Sequence, residues 1–485
     1  MVANIVRKIR KYMPIIKWIS ENHKIVAFFF VAIITLEICI FIPYGYVLVG
    51  LFLIAVVLLC FRINMEKCMF TLSIILLCAG FFGPYLGLPA MENIFLFRVL
   101  LPIHLVLFLF FYKKDWERIR KIRIFLLLYI LFIFTMSITL FWTDSLGGSI
   151  RYIYFLFEWL YVFFICVYFL KDVKSYRVFA KCTVFLYILF ISIGLWEVTT
   201  GMHLPRSGST FYITTTSEHQ PTGFQFNTND YAALLTILFP VVMIEISKWK
   251  KKVAIVAISI ISFVAIYLVI VTFSRMAMLV ILIEAIILLV SWMRSWAFIG
   301  VILGGLGVTL VSFYFKWSLV SQLFSDITRA FTDKNGSTLE RMEMYKATWS
   351  LIEKSNFIGI GAGMLPTRLS AVMYGFENTS ASYWSPHNYW LEALANGGIL
   401  AFLPLITFFI LYFISSLYYW IKTGWKMDSA VPLLIGVAFV FASIGLSGTF
   451  DKMFLGLGLG IGMSILNIHY RERSEKEISN RIEDG

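Results

Sequence analysis

The chain has 485 residues, 60% of them apolar and only 14% charged, with a formal net charge of +13. A soluble chain of this length carries roughly a quarter of its residues as charges, spread over several domain surfaces, so a soluble multidomain protein is excluded. The basic residues gather at the ends of apolar stretches, the positive-inside pattern of membrane proteins, and this argues against a nucleic-acid partner.

Apolar stretches of about 18–22 residues recur along the chain, the length that crosses about 30 Å of hydrocarbon as helix. In chain order the candidate spans are 25–42, 45–61, 68–83, 94–112, 124–141, 153–170, 178–197, 229–246, 253–271, 276–293, 297–315, 389–420, 429–448 and 453–468. They predict an all-α, polytopic integral membrane protein of about 12–14 transmembrane helices. The N-terminus is basic and has no small-residue cleavage site after a short apolar core, so it reads as a cytoplasmic lead-in, not a removable signal. Alternate threading from that side makes KKDWERIRKIR at 113–123 and SKWKKK at 247–252 cytoplasmic. Roughly 29 Lys and Arg then fall on that side, which predicts an even number of spans with both termini cytoplasmic.

The six cysteines, Cys39, Cys60, Cys68, Cys78, Cys166 and Cys182, lie in or beside apolar segments and form no CxxC pair. No disulfide framework and no zinc site is expected.

Two loops on the opposite side are long. The first, about 198–228, is polar and rich in Thr, Ser and Gly. The second, about 316–388, is a large extracytoplasmic loop within what reads as a single membrane domain over 1–485. Ser337 followed by Glu340 fits a capping box. Met342, Tyr345, Trp349 and Ile352 then follow at helical spacing and predict an amphipathic helix on the outer face or packed over the bundle. Gly359, Gly361 and Gly363 (GIGAG) lack the strand-turn-helix context of a dinucleotide site and predict a tight turn near the membrane surface.

No Walker A loop, HExxH signature or Asp-x-Asp pair is present, so nothing in the sequence points to ATP-driven transport, a metalloprotease or a metal-dependent nucleotide-sugar transferase. No metal or cofactor is implied.

The strongest local signal is SPHNYWLEALANGGILAF at 385–402. Ser385 is a suitable N-cap and Pro386 a suitable first helical residue, which would put His387 in the first turn of the helix at the membrane face. The helix dipole there opposes an imidazolium and favours anions, so a neutral imidazole is suited to general-base work. The plainer alternative is an interfacial histidine with no chemistry. Asn388 and Glu392, four apart, share a helix face and can orient a sugar hydroxyl. TFSRMAM at 272–278 puts Arg275 in a very short turn between two spans. It is either a snorkelling anchor or a bidentate clamp on a diphosphate. Arg206 and Arg341 are further cations in the two long loops, with Arg98 and Arg151 at span ends. Asn227, Asn229 and Asp230 read as helix caps. Glu37, Glu158, Glu245 and Glu284 lie in or near apolar segments without a relay pattern.

Taken together, TFSRMAM, PTGFQFNTNDYA, and the run from Arg341 through GIGAG to SPHNYWLEALANGG resemble the O-antigen ligase and polymerase superfamily of bacterial envelope glycosyltransferases. The resemblance implies transfer of an undecaprenyl-diphosphate-linked glycan donor to a glycan or surface acceptor outside the bacterial cytoplasmic membrane. It implies a base at His387 and a diphosphate-holding arginine at Arg275, with Arg206 and Arg341 as looser matches. Gln220 stands where family members often have an arginine. The resemblance covers polymerases and ligases alike. For a low-GC Gram-positive source, which the Lys-, Ile- and Phe-rich composition suggests, the product would be a capsule, exopolysaccharide or teichuronic-type wall polymer. The implied partners are the lipid bilayer and other envelope polysaccharide pathway proteins. A lipid-linked oligosaccharide flippase or exporter fits the spans equally well, and a non-catalytic scaffold is a third class. A transporter should line a central path with polar residues and show repeated halves; neither is visible here.

Overall fold

The computed structural model describes residues 64–88, 91–205, 207, 217–293, 325, 328, 335–375, 385–446 and 448–483. The candidate spans at 25–42, 45–61 and 297–315, and Arg206 and Glu37, lie outside these residues. The chain divides into two compact units, residues 1–114 and 115–485.

In the first unit, α1 (Met65–Phe82) and α2 (Leu96–Phe110) are joined through a short antiparallel hairpin of β1 (Gly87–Leu88) and β2 (Met91–Phe95). Buried Ser73 and His104 link the two helices, Oγ to Nε2, at 2.8 Å. Cys68 is disulfide-bonded, contrary to the expectation that no disulfide forms. Cys78, Cys166 and Cys182 form no disulfide.

The second unit is a helical bundle of α3 (Arg123–Ile138), α4 (Leu146–Phe169), α5 (Val173–Thr200), α6 (Thr228–Ser247), α7 (Lys251–Val271), α8 (Arg275–Met293), α9 (Asn335–Lys354), α10 (Leu365–Tyr374), α11 (Tyr389–Lys422), α12 (Met427–Gly445) and α13 (Met453–Glu483). Among the described residues, nine helices are long and apolar enough to cross a membrane. Their bounds follow the apolar runs to within a few residues, with α4 and α5 beginning earlier than hydropathy alone suggested. Both are set by side-chain caps: Ser145 accepts from Gly148 N–H, and Asp172 and Ser175 form a capping box. All of this fits an all-α polytopic membrane protein.

The bundle core is aromatic. Trp159 of α4, Tyr389 of α11, Phe439 of α12 and Phe450 in the α12–α13 connection pack in mutual contact, with ring centroids 4.7–6.4 Å apart. Gly456 and Gly460 let α13 lie directly against Trp159 and Cys166 of α4, the small-residue contact that brings membrane helices close.

Helix α11 is not the single span that its hydropathy suggested. Its backbone leaves helical geometry at Gly398, where φ is 66°. The rings of Tyr389 and Phe409 then meet at 6.1 Å, although twenty residues of straight helix would separate them by about 30 Å. The chain therefore folds back. A short arm, Tyr389–Gly397, lies beside a long arm, Ile399–Lys422. Only the long arm, about 36 Å at 1.5 Å per residue, is long enough to cross the bilayer.

The GIGAG turn stabilises the break. Ile360 and Gly361 donate backbone N–H to the carbonyls of Ala395 and Asn396, and Ile399 N–H donates to the Phe357 carbonyl. The Asn396 side chain accepts from Leu365 N–H. Gly359 has φ 93°, and a Cβ there would sit 2.6 Å from the Gly398 nitrogen. Glycine is required on both sides by positive φ and by backbone-to-backbone approach. The turn is tight, as expected, and its role is to occupy a helix break.

Candidate functional site

The residues singled out by sequence are positioned by three turns at one end of the bundle. The first ends α7. Phe273 takes φ 56°, Thr272 Oγ1 accepts from Ser274 N–H, and α8 restarts at Arg275. The second is the Ser385–Asn388 segment before α11. The third is the connection from Gly445, the last residue of α12, to Met453.

The start of α11 differs from expectation. Asn388, not Ser385, is the N-cap, and its Oδ1 accepts from Trp390 and Leu391 N–H. His387 has φ 51°, a left-handed conformation incompatible with a helix, so it precedes the first turn instead of lying within it. Pro386 is therefore outside the helix as well. Ser385 ties segments together, its Oγ accepting from His387 N–H at 3.3 Å and Gly448 N–H at 3.4 Å.

Two of the predicted residues meet at the Gly445 backbone, and a third lies nearby. Arg341 donates to the Gly445 carbonyl from Nη2 at 3.5 Å. The His387 ring also hydrogen-bonds the Gly445 backbone, and Met276, next to Arg275, packs against Gly445. The His387 imidazole is lowered to about 4, first by burial and then by the Arg341 guanidinium, with the Gly445 contact opposing both. Its Nδ1 is buried without a hydrogen-bond partner. Burial and nearby Arg275 also lower Arg341, with Tyr345 opposing. The two arginines are thus close enough for their charges to oppose each other. The N-termini of α8, α11 and α13 open at this end and add partial positive charge.

Arg341 is half-buried. It heads the inward stripe of α9, followed by Tyr345, Thr348 and Ile352. Met342 and Trp349, which the spacing put on one face with Tyr345 and Ile352, point outward while those two point inward. Helix α9 includes Asn335, so Ser337 lies within the helix and not at its cap.

Glu392 is buried and faces another way, near Tyr152 and Asp451, with Oε2 unpartnered. Arg151 is exposed and lies over the Phe155 ring at 5.5 Å, and in the first unit Arg98 lies over Phe95 at 4.7 Å. Glu197, unremarked in the sequence, accepts from Thr222 and Gly223 N–H at 2.8 and 2.7 Å and so holds the PTGF segment.

Sequence reasoning also missed Lys452. Its ammonium lies 3.1 Å from Asp230 and 3.6 Å from Asp451. Burial alone would lower it, but the two carboxylates raise it above the ordinary lysine value. The available signal was an Asp-Lys pair in a very short connection between two spans. Asp230, read only as a cap, forms this ion pair, while Asn227 does the capping.

A family model described as O-antigen ligase matches residues 260–406, which include Arg275, Arg341, the GIGAG turn, His387 and the break at Gly398. The chain is 25% identical over 461 residues to the teichuronic acid biosynthesis protein TuaE of Bacillus subtilis (strain 168), covering 88% of this chain and 90% of that protein. The comparisons support a multi-pass membrane protein of polysaccharide ligase or polymerase type, similar to the O-antigen ligase family over 260–406. The histidine and both arginines, which come from three separate segments, lie inside the matched region. Gly445 and Lys452, which complete that end, lie beyond the matched residues.

Proposed function

We propose that this ligase or polymerase transfers glycans from undecaprenyl diphosphate to an acceptor hydroxyl on the outer face of the cytoplasmic membrane, with both termini cytoplasmic. The observation that carries the reading is the meeting of His387 and Arg341 at the Gly445 backbone, with Arg275 within electrostatic reach of Arg341. In this reading His387, neutral near pH 7, removes the acceptor hydroxyl proton. The resulting oxygen bonds to the anomeric carbon as the bond from that carbon to the diphosphate breaks. Arg275 and Arg341 stabilise the departing diphosphate without a metal, and Arg206 serves the same end of the substrate. The Asn388 oxygen is committed to capping, so its Nδ2 is the group offered to a sugar hydroxyl. Glu392 binds the acceptor from the Asp451 side. The teichuronic-acid relative supports a wall polymer as product, built with other envelope proteins.

A flippase or exporter also uses broken helices. Here the carbonyls freed at Gly398 are taken up by the GIGAG turn instead of lining a path, which favours the transferase.

The test uses membrane vesicles with matched amounts of wild type and His387→Ala, supplied with lipid-linked glycan. Release of undecaprenyl diphosphate by wild type alone supports the reading. Growing lipid-linked ladders then indicate a polymerase, and a single transfer indicates a ligase. Equal release by both proteins removes His387 as the base. No release by either, with donor and acceptor verified, turns the reading toward transport.

A further inference from the structure

We infer that α9 is seated in the membrane interface, its outward edge resting on lipid at the His387 end of the bundle. The inward face of α9 is fully used: Leu351 and Ile352 pack with Leu365, Leu369 and Ala395. The outward face is amphipathic. Leu339, Met342 and Trp349 are exposed among Glu340, Glu343, Lys346 and Glu353, and the turn that follows exposes Phe357 and Ile358, the latter at 61%. Apolar rings and chains interleaved with charges suit the head-group region, where the first meet lipid and the second meet water.

Its occupant follows from continuity with the lipid-facing spans. Trp349 packs edge-on against Phe357 at 6.2 Å. The Phe357 carbonyl accepts from Ile399 N–H at 2.8 Å, and Ile399 begins the spanning arm of α11. There Ile399, Leu400 and Leu403 are each more than half exposed, which in a membrane span means exposed to lipid. On the other side, Trp142 at the end of the α3 span donates from Nε1 to the Gly359 carbonyl at 2.9 Å. Neighbouring Phe141 is 89% exposed. The 357–359 turn is therefore level with the ends of two spans. Trp349 has the amphipathic character that suits this depth, its ring apolar and its Nε1–H bonded to Glu353 at 2.8 Å. Since Arg341 lies on the opposite face of the same helix, seating α9 in lipid fixes that guanidinium near the head-group plane.

The experiment places the unmodified full-length chain in nanodiscs of phosphatidylglycerol and phosphatidylcholine carrying an acyl-chain diazirine, followed by irradiation and peptide mapping. The expected result is label on Trp349, Phe357 and Ile358 together with Ile399–Leu403. A Trp349→Glu/Ile358→Glu double variant should lose the label over 339–358 and keep it over 399–403. Label confined to the spans, with Met342 and Trp349 modified by hydroxyl radicals from bulk water, would overturn the inference. So would protection of the edge from both reagents, which would mean a second protein surface covers it, or label that persists in the double variant.

Discussion

The two ends of the second unit treat charge in opposite ways. At the end opposite His387, Glu245 is buried but bracketed: Arg177 donates to it at 3.2 and 3.4 Å and Lys248 lies 4.0 Å away. Lys248 also pairs with Asp428 at 3.3 Å. At the His387 end, Arg341 lies within electrostatic reach of Arg275 and donates to the Gly445 carbonyl, and His387 Nδ1 has no hydrogen-bond partner. Opposed charges that satisfy each other hold helices together. Like charges brought close make the local potential positive, which favours an anion there. Of the four carboxylates noted in apolar segments, Glu245 belongs to the first kind.

The contrast breaks most sharply if substitutions at the two ends behave alike. His387→Ala should lower glycan transfer by about 10²–10⁴-fold while leaving the detergent melting temperature close to wild type. Arg275→Lys keeps the charge but loses the planar fork, and should lower kcat by about 10²-fold, read from release of the diphospholipid. Glu245→Gln should do the reverse, lowering stability by about 1–3 kcal/mol with kcat per folded molecule unchanged. Arg177 is partly exposed, which keeps that cost below that of a fully buried pair. A loss of turnover without a loss of stability in Glu245→Gln would show that the bracketed end also serves the reaction.

The smallest effect sharpens the comparison through pH. His387 is held near 4, below its ordinary 6.5, so it should remain a competent base until pH falls towards 4, and the acid limb of kcat/KM should lie below the usual histidine range. Removing the nearby cation in Arg341→Ala should move that limb upward, though not fully to 6.5, because burial is the larger cause. The same depression makes the unfolded chain bind the proton first. The stability contributed by keeping His387 neutral is therefore complete above about pH 6.5 and declines as pH falls towards 4. A limb that stays in place in Arg341→Ala would dissociate Arg341 from the histidine.

Much of this was written in the sequence. Apolar run lengths located the helices at 124–141, 229–246, 253–271 and 276–293 to within three residues at each end, since a helix in lipid must satisfy its own backbone and be long enough to cross. The family motifs singled out His387, Arg275 and Arg341. Their meeting was beyond reach, because Arg275 and His387 are separated by more than a hundred residues and neither hydropathy nor spacing encodes which helix ends are neighbours.

The remaining differences have the same origin. NGG at 396–398 read as paired small residues, but only the packed structure shows a helix folded back there and filled by GIGAG. A helical stripe through Met342 and Trp349 was plausible from periodicity, yet α9 turned its other face inward. Periodicity gives the spacing of a face and says little about which medium, protein or lipid, each face meets. Lys452 and Gly445 passed unnoticed because one is an ordinary turn residue and the other an ordinary helix end until Asp230 and Arg341 are brought against them. The amino-acid sequence thus determined the membrane-spanning helices and the chemistry of the individual groups, because solvation and backbone satisfaction act locally. Tertiary structure decided which charged groups come together, because that depends on contacts between segments far apart in the chain.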